Sequence, residues 1–334
     1  MPTPMAPDRF ARLTADVETQ LRRVIVGQDD LVRDVLACLF AGGHVLLEGV
    51  PGLGKTMLLR TLAQTLSMDS TRLQCTPDLL PADVVGTTVL GGGDATGAGG
   101  WQASFEPGPV FTQLLLADEL NRATPKTQSA LLEAMAERRV TVAGVTRELP
   151  RPFFVMATQN PIEMEGTYPL PEAQLDRFLA KVLVPSPSAD DLVEILVRTT
   201  GTSEPTVEAV ASTEDLLAAI QLVRQVPMAS HVLRHVAELV EATHAERASA
   251  SEAVRRYVAN GASPRGAQSL VLAAKVRALF DGRLQASVED VREAALPCLR
   301  HRLVLGYEAQ IAGVSPDDVV TSVLDAVPAP RVPA

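Results

Sequence analysis

Gly49-Val50-Pro51-Gly52-Leu53-Gly54-Lys55-Thr56 is the stretch on which the reading of this chain turns. It fits the pattern G-x-x-x-x-G-K-[ST] of a phosphate-binding loop. The apolar run His44-Val45-Leu46-Leu47-Glu48 ahead of it predicts a buried strand, and Met57–Ala63 behind it predicts a helix. Strand, glycine loop and helix are the context the pattern needs. The glycines let the backbone wrap closely, so that several N–H groups point at phosphate oxygens. The positive end of the helix dipole faces the same phosphates. Lys55 is expected to reach the β- and γ-phosphates and the Thr56 hydroxyl to ligate magnesium, so Gly49 through Met57 is the expected nucleotide cradle.

A second signature lies downstream. Val110–Ala117 is a continuous apolar run that ends in Asp118-Glu119. A hydrophobic strand with two acids at its C-terminal end places them at the sheet edge where ligands bind. Asp118 is expected to hold magnesium through water, and Glu119 to orient and polarise the attacking water. Phe153–Ala157 predicts another buried strand, followed by Thr158-Gln159-Asn160-Pro161; Asn160 at its end is expected beside the γ-phosphate. Ahead of the glycine loop, Val24–Gln28 has two readings: Val26 and Gly27 wall an adenine pocket, or the segment is an ordinary helix-to-helix turn.

Outward from these sites, helices are predicted at Phe10–Arg23, Asp29–Phe40, Pro125–Glu137 and Pro171–Leu179, with strands at Arg72–Cys75 and Val182–Val184. A short helix is expected to start within Asp78–Asp83. Two glycine-bearing stretches, near 86–105 and 138–150, predict hairpins. Trp101, the only tryptophan, is either a packing anchor or a substrate contact. Residues 1–8 are proline-rich and expected to be disordered. Pro185-Ser186-Pro187-Ser188 marks a boundary between an α/β parallel-sheet domain at 1–187 and an all-α domain at 188–334. Helices are predicted there at Asp190–Thr199, Thr213–Val223, Ser230–Ala248, Ser251–Asn260, Arg265–Phe280, Ser287–Leu299 and Val314–Val327, with a loose tail after Pro328.

Composition narrows the function class. The 334 residues are 46% hydrophobic but only 4% aromatic, which implies aliphatic, alanine-rich cores. Acidic residues outnumber basic ones by 40 to 30, a net charge of −10 that argues against nonspecific nucleic-acid binding as the main role. Cys38, Cys75 and Cys298 are far apart and form no CxxC, which suggests neither a zinc site nor a disulfide framework. No apolar run approaches a membrane span and the N-terminus carries no signal-like core, so a soluble cytoplasmic protein is expected. His231 and His235, four residues apart, are expected on a solvated helix face rather than around a metal. Arg300-His301-Arg302 is expected to cap a helix end or to touch a neighbouring subunit.

Taken together, the segments Gly49–Thr56, Leu116–Arg122, Lys126–Met135, Ala157–Pro161, Gly166–Phe178 and Gly261–Gly266 resemble the AAA+ ATPases, and more narrowly the MoxR family. Leu120 stands where the family's Asp-Glu-Ile-Asn has isoleucine. The resemblance implies a three-layer P-loop NTPase domain followed by a small helical lid, and a ring, usually a hexamer, with ATP and Mg2+ bound between subunits. It implies that Arg177 is an arginine finger reaching a neighbour's site, that Arg265 is the sensor-2 arginine of the lid, and that Asn160 is sensor 1. It also implies protein clients remodelled in a chaperone-like way, often with a partner carrying a von Willebrand factor A domain. A guanidinium placed against a transferring phosphoryl group stabilises the charge on its equatorial oxygens, which supports both arginines on physical grounds. Two other uses share these motifs: a nucleotide-gated assembly switch with slow hydrolysis, and the motor subunit of a metal chelatase.

Overall fold

The computed structural model describes residues 5–50, 52–91, 102–161, 166–201 and 205–330. In chain order the elements are α1 (Pro7–Arg22), α2 (Asp29–Phe40), β1 (Val45–Glu48), α3 (Lys55–Thr65), β2 (Ser70–Gln74), α4 (Pro81–Val85), β3 (Gly86–Gly91), β4 (Gln102–Pro107) and β5 (Leu114–Asp118). Next come α5 (Pro125–Glu137), β6 (Arg139–Val142), β7 (Val145–Glu148), β8 (Phe154–Gln159), α6 (Glu172–Leu175) and β9 (Ala180–Leu183). The remainder is α7 (Ala189–Thr199), α8 (Thr213–Gln225), α9 (Ser230–Glu241), α10 (Glu252–Tyr257), β10 (Val258–Asn260), α11 (Pro264–Phe280), α12 (Val288–Leu299), β11 (Val304–Leu305), α13 (Tyr307–Ala312) and α14 (Pro316–Ala326).

Five strands form one parallel sheet in the order β2-β5-β8-β1-β9. The apolar runs of the inner strands β1, β5 and β8 are continuous because both faces are covered. Val45 and Leu47 of β1, Leu114 and Leu116 of β5, and Phe154 and Met156 of β8 enter one core. Leu46, Leu115, Ala117, Val155 and Ala157 enter the other. This alternation makes the sheet the middle of three layers. The first core runs on without a break into α8, α11, α12 and α14, so the helical half is packed through shared apolar contacts.

Both hairpins form, β3 with β4 and β6 with β7. The second turns at Ala143 and Gly144, both with positive φ (51° and 78°), as a two-residue hairpin turn requires. The tip of the first, with Trp101, lies outside the described residues.

Several expectations are corrected. The expectation of disorder over 1–8 fails at Pro7 and Asp8, which begin α1; proline suits a first helical turn, Met5 is buried in the core, and residues 1–4 lie outside the described residues. The apolar run Val110–Ala117 becomes a strand only from Leu114. Its first part turns beneath the hairpin, with the Val110 N–H bonded to the Val84 carbonyl and Phe111 edge-on to Phe105. Pro171–Leu179 is helical only over Glu172–Leu175. The helix expected to reach Ala248 stops at Glu241, where the Thr243 hydroxyl bonds the Val240 carbonyl and accepts from the Ala262 N–H. Ser251–Asn260 divides into α10 and β10, and β10 pairs with the distant β11. Among the described residues no helix is long and apolar enough to cross a membrane.

Candidate functional site

The glycine loop leaves the C-terminal end of β1, between neighbours β8 and β9. In this sheet β1 leads to β2 on one side and meets β9 on the other, so the loop opens at a topological switch point. Gly52 and Gly54 take φ of 85° and 77°, which only glycine adopts without strain. Gly49 is required for another reason: a Cβ there would sit 2.8 Å from the Val184 Cβ.

A cavity of about 350 Å3 lies over this loop. Gly52, Gly54, Lys55, Thr56 and Met57 line one side; Asp118, Glu119 and Asn160 line the other. The structure therefore brings the expected phosphate, magnesium and water-handling residues together. Lys55 Nζ donates to the carbonyls of Gly49 (2.7 Å) and Val50 (3.2 Å). Burial lowers its pKa, opposed by the nearby charges of Asp118 and Glu119. Leu53 packs against the core instead of lining the cavity, and Pro51 lies outside the described residues.

Four residues that motif reading did not single out set the geometry of the acids. Arg72 donates to Asp118 Oδ2 from Nη2 (2.7 Å) and Nε (3.1 Å). Thr158 Oγ1 donates to Asp118 Oδ1 (2.7 Å) and accepts from the Glu119 N–H (2.8 Å). Gln74 Nε2 and Arg122 Nη1 each donate to Glu119 Oε2 at 2.9 Å. Glu119 itself sits in the left-handed region (φ 55°, ψ 49°). A non-glycine residue there persists only when its surroundings hold it, and Thr158, Gln74 and Arg122 do so. A signal existed: Arg72 and Gln74 alternate on one face of β2, whose register sets Gln74 beside Asp118.

Val26 and Gly27 do not reach this cavity. Val26 is buried, and Gly27 (φ 66°) faces the Asp191 carboxylate, 2.2 Å from where a Cβ would stand. Asp191 belongs to the capping box of α7, so a helix start packs against this glycine.

Arg177 and Arg265 are brought together, but elsewhere. They line a separate cavity of about 440 Å3 with Gly42, Gly43, His44 and Asp176. Gly42–His44 precede β1, and the Leu179 N–H that opens β9 bonds the His44 carbonyl at 2.8 Å. The arginines thus stand at the N-terminal edge of the sheet, whereas the glycine loop leaves the C-terminal edge. The four residues of β1 separate those edges by about 13 Å. Arg177 Nη1 donates to the Leu132 carbonyl (2.7 Å), and Arg265 lies 3.8 Å from Asp176. Asp176 also accepts from the Ser263 hydroxyl and from Arg302, both at 2.9 Å.

Arg302 is buried and bonds the carbonyls of Phe178, Leu179 and Cys298, so it closes the end of α12 inside its own subunit. His235 is buried, not solvated, while His231 is exposed. No cluster of metal-ligating side chains occurs among the described residues. The three cysteines are free and buried.

Comparison with known proteins bears on this geometry. Residues 44–180 match the profile of the ATPase family associated with various cellular activities, and residues 250–323 match the AAA lid domain. The chain is 43% identical to Chaperone MoxR1 of Mycobacterium tuberculosis over 96% of this chain and 85% of that one. It is 34% identical to Protein MoxR of Methylorubrum extorquens, with 95% of each covered. The chain belongs to the MoxR family of AAA+ ATPases. A solved structure of a candidate ATPase from Cytophaga hutchinsonii superposes on this MoxR-family chain with a TM-score of 0.89, at 38% identity and 97% coverage of both chains.

Proposed function

We propose that this MoxR-family protein hydrolyses ATP at the seam between two copies, within a ring, and uses turnover for chaperone-like remodelling or maturation of partner proteins. One observation carries the reading. The phosphate loop with Asp118, Glu119 and Asn160 lies at one sheet edge, and Arg177 with Arg265 lies at the other. No single subunit then closes both halves around one γ-phosphate. A head-to-tail ring does so at every seam, since such contacts repeat until the rotation closes.

At that seam Glu119 accepts the proton of the attacking water, and Asn160 orients the water or the phosphate. Lys55 holds the β- and γ-phosphates. The residues fit Mg2+: Thr56 supplies a hydroxyl oxygen and Asp118 a carboxylate, and the ion, when bound, neutralises phosphate charge. A neighbour's arginine is worth about 10³–10⁵ in rate in other nucleotide hydrolases. MoxR1 carries the name chaperone, which supports a protein client here; a partner with a von Willebrand factor A domain is the companion the family implies.

Mixing subunits tests this. Glu119→Gln is expected to keep ATP binding and lose turnover, and Arg177→Ala to be inactive alone. Mixed together they are expected to regain activity, because some seams join an intact Glu119 to an intact Arg177. No recovery in assembled mixtures would sink the shared site. The slow-switch reading has one specific observation in its favour, the double hold on Glu119 Oε2 by Gln74 and Arg122. ATP-dependent partner binding with no change in the partner would decide for it.

A further inference from the structure

The arginine cavity holds more charge than Arg177 and Arg265 supply. Arg138 and Arg224 line it as well. Arg138 ends α5 in the left-handed conformation (φ 53°), and its Nη2 donates to the Gly42 carbonyl at 2.8 Å. Its pKa is lowered by burial and then by the like charges of Arg224 and Arg151. Arg224 lies in the last turn of α8 and faces the same space from the helical half.

Carboxylates do not balance this set. Among the described residues Arg138, Arg177 and Arg224 have no ion-pair partner; Arg138 and Arg177 donate to backbone carbonyls. Arg177 Nε is buried without a hydrogen-bond acceptor. Asp176 pairs at 3.8 Å with Arg265 but is already engaged by Arg302 and Ser263. Besides Arg302, which is paired with Asp176, four guanidiniums therefore line the cavity around that one committed carboxylate, in a chain whose net charge is −10. Like charges held together without counter-charge define an anion site, and guanidinium forks match phosphate oxygens in pairs.

We propose that Arg138 and Arg224 complete, with Arg177 and Arg265, a four-arginine cradle for the polyphosphate of a nucleotide carried on a second copy's glycine loop. The proposal rests on the shared-site reading above. Its own-subunit loop lies at the opposite sheet edge, so the anion comes from outside the subunit. Arg138 is fixed to the α/β half and Arg224 to the helical half, so the polyphosphate bridges both halves of the receiving subunit. A triphosphate carries more charge to this cradle than a diphosphate does, which makes Arg138 and Arg224 determinants of ATP over ADP at the seam.

The test separates the cradle from the shared site. Full-length Lys55→Ala protein, with its own loop disabled, is titrated with inorganic tripolyphosphate in low salt by calorimetry. Binding is expected, and it weakens at least about tenfold when Arg138→Gln or Arg224→Gln is added, a loss that fits one charge-assisted contact. Arg138→Lys and Arg224→Lys, which keep the charge but not the fork, are expected to fall between; they also report on folding, checked by circular dichroism. In the Lys55-intact background Arg224→Gln is expected to lower the preference for ATP over ADP in assembly. No tripolyphosphate binding by Lys55→Ala, or binding indifferent to both glutamines, overturns the cradle even if subunit mixing restores turnover. Binding with the expected dependence but no recovery on mixing removes the second copy as its source, and the proposal falls with the shared site.

Discussion

Glu119 is the residue whose surroundings say most about control. Its carboxylate is turned onto Gln74 and Arg122, and its backbone is held by Thr158. In the proposed mechanism a carboxylate so engaged must release at least one donor to take a proton from water. Gln74→Ala is expected to raise basal turnover up to about tenfold, since one hydrogen bond to a charged group is worth ~1.5 kcal/mol. Steady-state kinetics at fixed subunit concentration would show it; an unchanged or lowered rate would remove Gln74 as a restraint. His44 makes a second prediction at this scale. Its Nδ1 accepts from the Val155 N–H and its Nε2 faces the Met135 carbonyl, so the ring is neutral. Burial lowers its pKa from 6.5 to about 4, and His301 is pushed down in the same direction by burial and by Arg302. The unfolded chain then binds protons that the folded one refuses. Stability from this source is full above pH 6.5 and drains away as pH falls toward 4, by about 3 kcal/mol for His44. Thermal unfolding from pH 7.5 to 4.5 should show the decline, and His44→Gln should flatten it.

Between elements, the two hairpins are joined to each other and to the segment that leads into β5. The Arg147 guanidinium stacks over the Phe105 ring, 3.8 Å from its centroid, and Phe105 meets Phe111 edge-on just before β5. β5 carries Asp118 at its end. A double-mutant cycle of Arg147→Ala and Phe105→Leu, read by denaturant unfolding, is expected to show coupling of about 0.5–1 kcal/mol. Additive effects would mean that the hairpins are independent. α7 illustrates the opposite case. Its apolar spacing forms a helix as read from sequence, yet Leu192, Val193, Leu196 and Val197 are 46–70% exposed. Periodicity places side chains on one face; it does not say what that face meets.

At the scale of the whole molecule, Arg302 and Asp176 hold the segment Asp176–Leu179 to the helical half. Arg302 is buried and reaches Asp176, Phe178, Leu179 and Ser269. Burial depresses its pKa, and Asp176 is the charge that opposes this. Arg302→Met is expected to destabilise by about 3 kcal/mol, because one partner of a mostly buried pair is left behind. A denaturant midpoint close to wild type would contradict the hub. Subunit mixing of Glu119→Gln with Arg177→Ala belongs to the same scale, since only an assembly can answer it.

The sequence alone determined the elements whose rules are local: the glycine loop between a strand and a helix, the acid pair closing β5, the polar end of β8 and the capped helices after Ser188. Each follows from spacing within a few residues, where side-chain period and backbone sterics decide. Tertiary structure alone decided what depends on distant segments meeting. Gln74 and Thr158 converge on the acids only because β2, β5 and β8 are neighbours in the sheet, and Gly27 is covered because α7 lands on it. The pairing of β10 with β11 spans more than forty residues and leaves no local mark. The placement of Arg177 and Arg265 at the edge opposite the phosphate loop is of the same kind, since strand direction and order exist only once the sheet has formed.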